Sequence, residues 1–204
     1  MLTLRSTACI AALFAVSVPA HGQSKPPATP PVTAAVKAPA IAQTCIACHG
    51  IRGVSTTKDS PSLAGQPDIF TQYQLVFMRD GQRRPGVMAG IVKTLTDENI
   101  RDLGAYYAAL APPPPFAKAE PVDADKVNAV MGPRRCANCH KDDFSGQGET
   151  ARLAGQRPDY LIKSLTDFRA GVRRGRGMGA MMEVSVTLQD EDIAMIAHYL
   201  AAKP

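Results

Sequence analysis

Cys45-Ile46-Ala47-Cys48-His49 decides how this chain is read, and it recurs as Cys136-Ala137-Asn138-Cys139-His140. The order Cys-x-x-Cys-His is that of c-type haem attachment. Two thiols add across the vinyl groups on one edge of a porphyrin, and the helical turn that carries both delivers the next imidazole to the iron. Cys45, Cys48, Cys136 and Cys139 are therefore the expected covalent anchors of two haems c, with His49 and His140 as iron ligands. One such pentapeptide is suggestive; two in 204 residues, each followed by similar sequence, are strong evidence.

The sequence around the pentapeptides repeats as well. Leu63-Ala64-Gly65-Gln66 returns 90 residues later as Leu153-Ala154-Gly155-Gln156, and Arg83-Arg84 returns at the same offset as Arg173-Arg174. Leu95-x-Asp-Glu-Asn-Ile100 returns as Leu188-x-Asp-Glu-Asp-Ile193, now 93 residues on, so three residues are added in the loop between. Two copies make a duplicated domain, not a repeat array. The expected boundaries are a first domain over 41–111, a stiff proline-rich linker over 112–121 and a second domain over 122–204. Two domains of about 70–80 residues are each marginal on apolar burial alone. A covalently held haem would serve each as the missing centre of its core.

Helical signals surround each pentapeptide. A helix from Ile41 could carry the first one. Pro67 to Asp80 has Pro at its start and Gly81 past its end, with Ile69, Phe70, Tyr73, Val76 and Phe77 at helical spacing as its expected apolar face. Gln82 to Gly90 reads as a Gly/Pro/Arg loop containing Met88, with Pro85 stiffening it. Thr96-Asp97-Glu98 caps a last helix through Leu110 with Ile100, Leu103 and Tyr107 inward.

The occupant of the sixth iron position decides what each haem can do. Met88 stands in the loop before the last helix, seven residues ahead of Leu95. The same distance before Leu188 gives Met181, which ranks first in the second half; Met182 adjoins it, and Met178 matches Met88 at the earlier offset. Met78, Met131 and Met195 sit on helical patterns and read as core fillers. His198, on the last helix at the position equivalent to Ala105, reads as a surface or packed His and not as a ligand. Thioether ligation raises the reduction potential, and iron with six ligands has no vacancy for substrate. That pattern points to an electron carrier, not a catalyst.

Length, charge and the N-terminus bound the rest. Arg5 followed by the apolar run Cys9 to Val18 and small residues near 18–22 reads as a signal peptide over 1–22, taking Cys9 and His21 with it. The run is too short to span a bilayer as a permanent anchor, although a retained anchor would attach the protein peripherally to the membrane. Residues 23–40 are a Pro/Ala-rich leader. Mature Lys+Arg then number 22 against 18 Asp+Glu, before four haem propionates are counted, so charge gives little support to nucleic-acid binding. The basic residues Arg79, Arg83, Arg84, Arg169, Arg173, Arg174 and Arg176 precede the Met segments. They suit either propionate pairing and attraction of an acidic partner, or a solvated surface. Tyr106 and Tyr199 hold equivalent last-helix positions and are expected to pack.

The paired Cys-x-x-Cys-His motifs, the two Leu-Ala-Gly-Gln stretches and the Met-then-Leu-Thr-Asp-Glu order resemble the dihaem cytochrome c family of the cytochrome c4 type, over nearly all of the chain from Ile41. The resemblance implies an all-α protein of two tandem class I cytochrome c domains, each a few helices wrapped around one haem and packed face to face. It also implies a periplasmic carrier of electrons towards a terminal oxidase, fed by a quinol–cytochrome c reductase or a dehydrogenase, and acting as a monomer. The rival readings are the dihaem subunit of a flavin- or molybdenum-dependent dehydrogenase and a dihaem peroxidase with an open iron position. A zinc or thiol-redox module fits poorly, because a His follows each second Cys at once and no βαβ pattern surrounds either pair.

Overall fold

The computed structural model describes residues 37–84, 86–175 and 177–204. The expected signal peptide, most of the leader, Pro85 and Arg176 lie outside the described residues. Among those described, the regular structure is helical, with a single isolated bridge between Gln147 and Thr150. No helix there is long and apolar enough to cross a membrane.

The first half runs α1 (Ile46–His49), α2 (Asp68–Arg79), α3 (Ala89–Val92) and α4 (Asp97–Ala108). The second runs α5 (Ala124–Met131), α6 (Cys136–His140), α7 (Pro158–Arg169), α8 (Gly179–Ser185) and α9 (Asp190–Ala201). In each half the long helix after the Leu-Ala-Gly-Gln turn packs on the last helix: α2 on α4, α7 on α9. The last helices start where their caps dictate. Thr96 Oγ1 accepts from the Asn99 N–H at 3.1 Å while Asn99 Oδ1 accepts from the Thr96 N–H at 3.2 Å. The Gln189 N–H similarly donates to Asp192 at 3.1 Å. Acidic first turns (Asp97, Glu98; Asp190, Glu191, Asp192) complement the helix dipoles.

Ile100, Leu103 and Tyr107 point inward as the spacing predicts, and Ile193, Ile196 and Leu200 do the same in α9. Each such buried aliphatic side chain contributes roughly 1.5–3 kcal/mol. Met78 and Met131 are core fillers and Met195 packs against the second core, as read. The inward face of α2 differs in part from the expected one. Val76 packs on the core as expected, with Leu75, and Thr71 and Met78 are buried, whereas Ile69 and Tyr73 are exposed and Phe77 lies against Tyr73. The apolar residues on α2 cover more than one face, so periodicity alone could not select the buried one.

Two further expectations change. Only Ile46–His49 of the first pentapeptide segment is α-helical, preceded by a 3-10 stretch over Ala40–Cys45. The Met-bearing segments are helical where loops were expected: Met88 closes a 3-10 turn over Gly86–Met88 and abuts α3, while Met181 and Met182 lie inside α8. The 3-10 turn and α3 together span Gly86–Val92 and α8 spans Gly179–Ser185, seven residues each at the offset of 93, so the three added residues lie ahead of these helical segments, in the connection after Arg173-Arg174.

The linker does not span a gap; it lies against both Leu-Ala-Gly-Gln turns. Gly65 and Gly155 both have φ +69, and a Cβ on them would meet Pro112 Cβ at 2.8 Å and the Pro113 carbonyl at 2.7 Å. Further along, the Phe116 N–H donates to Ala201 O at 2.7 Å and the Glu120 N–H to His198 Nδ1 at 2.8 Å. His198 is thus a packed residue that holds the linker, one of the two roles expected of it.

The halves grip each other reciprocally. Gln66 Nε2 donates to Arg152 O at 2.9 Å and its Oε1 accepts from the Arg152 N–H at 3.0 Å. Gln156 Nε2 donates to Ser62 O at 2.9 Å and its Oε1 accepts from the Ser62 N–H at 2.8 Å. Both glutamines are buried. A backbone segment offering one N–H and one C=O fits a primary amide in a single orientation, which fixes which end of each Gln is oxygen.

Candidate haem sites

Each pentapeptide forms a single turn that puts its two Cys three residues apart on one side. All four thiols are free, with Cys45 buried, Cys136 half-buried and the second Cys of each pair exposed. Burial pushes the Cys136 thiol up, and it also pushes up the Tyr107 phenol beside Cys45. Both groups therefore stay protonated and uncharged at neutral pH.

His49 and His140 are buried immediately after these turns. His49 Nδ1 lies 2.8 Å from Pro61 O, and His140 Nδ1 lies 2.8 Å from Ala151 O. A carbonyl only accepts, so Nδ1 carries the proton and Nε2 keeps its lone pair for a metal. Burial lowers both imidazole pKa values, the carbonyl bond opposing it in each case. Two free thiols on a turn, followed by a neutral imidazole of the correct tautomer, fit a covalently held haem in both halves.

The arginines divide into three kinds. Arg79 donates to Leu95 O at 3.2 Å and pairs with Asp97 at 2.8 Å, and Arg169 donates to Leu188 O at 2.8 Å and pairs with Asp190. Both therefore tie the long helix of their half to the start of the last one. Arg84 and Arg174 are exposed. Arg83 and Arg173 meet between the halves. Arg83 donates to Gln74 Oε1 at 2.7 Å, and buried Arg173 donates to Ser164 Oγ at 2.9 Å and to the same Gln74 oxygen at 3.3 Å. Both guanidiniums reach the Tyr160 hydroxyl, at 3.5 and 3.3 Å. Burial pushes the Tyr160 phenol up, but Arg173 and then Arg83 outweigh it and bring it down to about 7. Arg173 Nε has no partner, and neither guanidinium is hydrogen-bonded to a carboxylate among the described residues. Two close cations with no carboxylate bonded to either fit the carboxylates that haem propionates supply.

The axial Met candidates are placed as follows. Met88 is half-buried and packs on the first core. Met178, which caps α8, is buried, while Met181 and Met182 are half-buried one turn on. Tyr106 stacks on Tyr107 at 5.0 Å and Tyr199 meets Phe144 edge-on at 6.4 Å, so both pack as expected. Sequence reasoning missed Gln74, Tyr160 and the role of Gln66 and Gln156. Only the repeated Leu-Ala-Gly-Gln signalled any of them.

Fold and site together define a tandem c-type cytochrome with two covalently bound haems. The family model described as cytochrome c matches residues 124–203, and that described as cytochrome c oxidase, cbb3-type, subunit III matches 34–106. Cytochrome c4 of Pseudomonas aeruginosa is 33% identical over 169 residues, covering 78% of this chain and 83% of the relative. A protein of Thiomonas intermedia named thiosulfate dehydrogenase electron acceptor is 32% identical over 177 residues, covering 82% of each. The solved structure of Acidithiobacillus ferrooxidans cytochrome c4 superposes with a TM-score of 0.70 at 27% identity, over 78% of this chain and 99% of that one. The chain belongs to the dihaem cytochrome c4 family of electron-transfer cytochromes.

Proposed function

We propose that this protein carries single electrons between respiratory partners in the periplasm, towards a terminal oxidase, without itself catalysing a reaction. The observation that carries this reading is the pair of buried imidazoles, each locked through Nδ1 to a backbone carbonyl. A ligand held that way keeps one geometry whether iron is reduced or oxidised, which keeps reorganisation small. Bound haem supplies reversible one-electron chemistry at iron, and all else falls to the chain. Cys45, Cys48, Cys136 and Cys139 would anchor the two haems, and His49 with Met88 and His140 with Met181 would hold their irons. Met181 is supported by standing seven residues before buried Leu188, as Met88 stands before buried Leu95. Arg83 and Arg173 pair the propionates, and exposed Arg84 and Arg174 meet an acidic partner surface.

The signal-like sequence over 1–22 (Arg5, then the apolar run Cys9 to Val18) supports the periplasmic location, since haem attachment and export go together in this reading. The alternative, that the protein accepts electrons from a dehydrogenase, is supported by the relative named thiosulfate dehydrogenase electron acceptor. Protein matured with the haem-attachment machinery tests the site. Two equivalents of the sulfur–iron charge-transfer band in the oxidised form are expected. One equivalent would leave one iron without its Met and favour the peroxidase reading, which peroxide turnover would then check. Oxidation of the reduced protein by membranes containing a terminal oxidase tests the direction of flow. Co-purification with a dehydrogenase and no oxidation by those membranes would overturn it.

A further inference from the structure

The reciprocal glutamines reach further than the interface. The Ser62 N–H and the Pro61 C=O belong to one peptide unit, and so do the Arg152 N–H and the Ala151 C=O. Gln156 Oε1 accepts from the first unit at 2.8 Å, and the carbonyl of that same unit holds His49 Nδ1 at 2.8 Å. Gln66 Oε1 accepts from the second unit at 3.0 Å, and its carbonyl holds His140 Nδ1 at 2.8 Å. Each half therefore lays a side-chain oxygen on the peptide that orients the other half's imidazole. Gln156 Oε1 also accepts from its neighbouring Arg157 N–H at 3.0 Å, which fixes the oxygen in place.

We propose that Gln66 and Gln156 are crossed positioning residues: each, through one peptide unit, tunes the axial imidazole and hence the reduction potential of the haem in the opposite half. The inference rests on His49 and His140 being the iron ligands. The physics is that of hydrogen bonds in series. An acceptor on the N–H draws electron density through the amide onto its carbonyl oxygen, which pulls harder on the imidazole Nδ1–H. The ring then becomes a stronger donor to iron, as second-shell partners of ligating histidines generally make it. A stronger donor favours the oxidised state. The low-dielectric surroundings of the buried Gln, Ser62 and His49 strengthen each bond in the series. The arrangement also gives the duplication a consequence that a single domain lacks: neither haem reaches its working potential until the halves are docked.

The test uses the full matured holoprotein and an NMR-followed redox titration in which resonances of each haem report its own oxidation state. Gln156→Ala is expected to shift the haem bound at Cys45 and Cys48 towards the reduced form, by roughly two- to threefold in its reduced-to-oxidised ratio at fixed potential. The haem at Cys136 and Cys139 stays unmoved. Gln66→Ala does the reverse. Gln156→Glu, ionised or protonated, still offers an oxygen to the Ser62 N–H and restores the wild-type ratio or passes beyond it, whereas a mere clamp would be lost in both variants. A shift of the variant's own haem, of both haems equally, or of neither, with ligation spectra intact, overturns the proposal. Loss of the His-ligated low-spin spectrum in the unmodified protein overturns the ligand assignment as well, so the two failures are told apart. Should a variant not fold, the unmodified reduced protein still decides. The Ser62 and Arg152 amides must be protected from exchange and the His49 and His140 Nδ1–H signals strongly downfield, and rapid exchange at Ser62 or Arg152 ends the idea.

Discussion

The two halves share a plan and differ where the iron ligands are delivered. In the first, the residue after His49 is Gly50, at φ 79 and ψ 161; in the second, the residue after His140 is Lys141, at φ 68 and ψ 163. The backbone makes the same turn, but a side chain is strained there in one half only. The Met-bearing helical segment has seven residues in both halves, but in the first it opens with a 3-10 turn (Gly86–Met88, then α3) and in the second it is α-helical throughout (α8). The three added residues precede it, so Met178, the N-cap of α8, and Met181, its third residue, stand three positions apart, close to one helical turn. The N-terminal register, at offset 90, matches Met88 to Met178, and the register within and after the segment, at offset 93, matches it to Met181.

The most severe break in the comparison is at the sulfurs. Met88→Leu and Met181→Leu are each expected to remove half of the sulfur–iron band, leaving the other half unchanged. Met178→Leu leaves the full band. If Met178→Leu removes half and Met181→Leu does not, the N-terminal register governs the second site. Next in size are the matched core positions Ile100 and Ile193. Truncation to Ala costs about 2–5 kcal/mol at each, read from urea unfolding, and similar losses would show that the two cores carry comparable weight.

The turn residues sharpen the comparison further. Lys141→Gly is expected to stabilise the second half by about 1 kcal/mol, through relief of the positive φ. Gly50→Ala should destabilise by more, because a Cβ there would meet the Val54 carbonyl. Thermal unfolding of both variants checks the opposite signs. The smallest effect concerns acid. Burial pushes the Asp159 carboxyl up, but the Arg157 hydrogen bond and the Asp59 N–H from the other half outweigh it and hold the carboxyl below its ordinary value. Its folded pKa lies below the unfolded value of about 3.9, so its contribution is complete above that pH and fades as pH falls through the folded value. The stability advantage of the wild type over Asp159→Asn should therefore shrink in urea titrations below about pH 4.

The six described arginines ahead of the Met segments show how far local sequence carries. Their clustering before the Met segments was visible, but their roles were not. Arg79 and Arg169 close helix-to-helix contacts within a half, Arg84 and Arg174 face solvent, and Arg83 and Arg173 converge on Tyr160 between the halves. The fate of each guanidinium depends on what a residue up to 99 positions away places opposite it. The exposed Ile69 and Tyr73 make the same point for α2, whose apolar residues exceed one stripe.

The sequence by itself determined that two haems are covalently held, that one domain was duplicated, and that the last helix of the first half buries Ile100, Leu103 and Tyr107. Those conclusions rest on short-range chemistry: thiol spacing fits a porphyrin edge, and helical period selects a face. Only the tertiary structure decided that the Met-bearing segments are helical, that the linker lies on both glycine turns, and that each Gln of Leu-Ala-Gly-Gln holds the peptide behind the opposite histidine. The glutamine contacts join segments 86 to 94 residues apart. Hydrogen-bonding partners at that range are set by how two folded surfaces meet, and no local pattern records them.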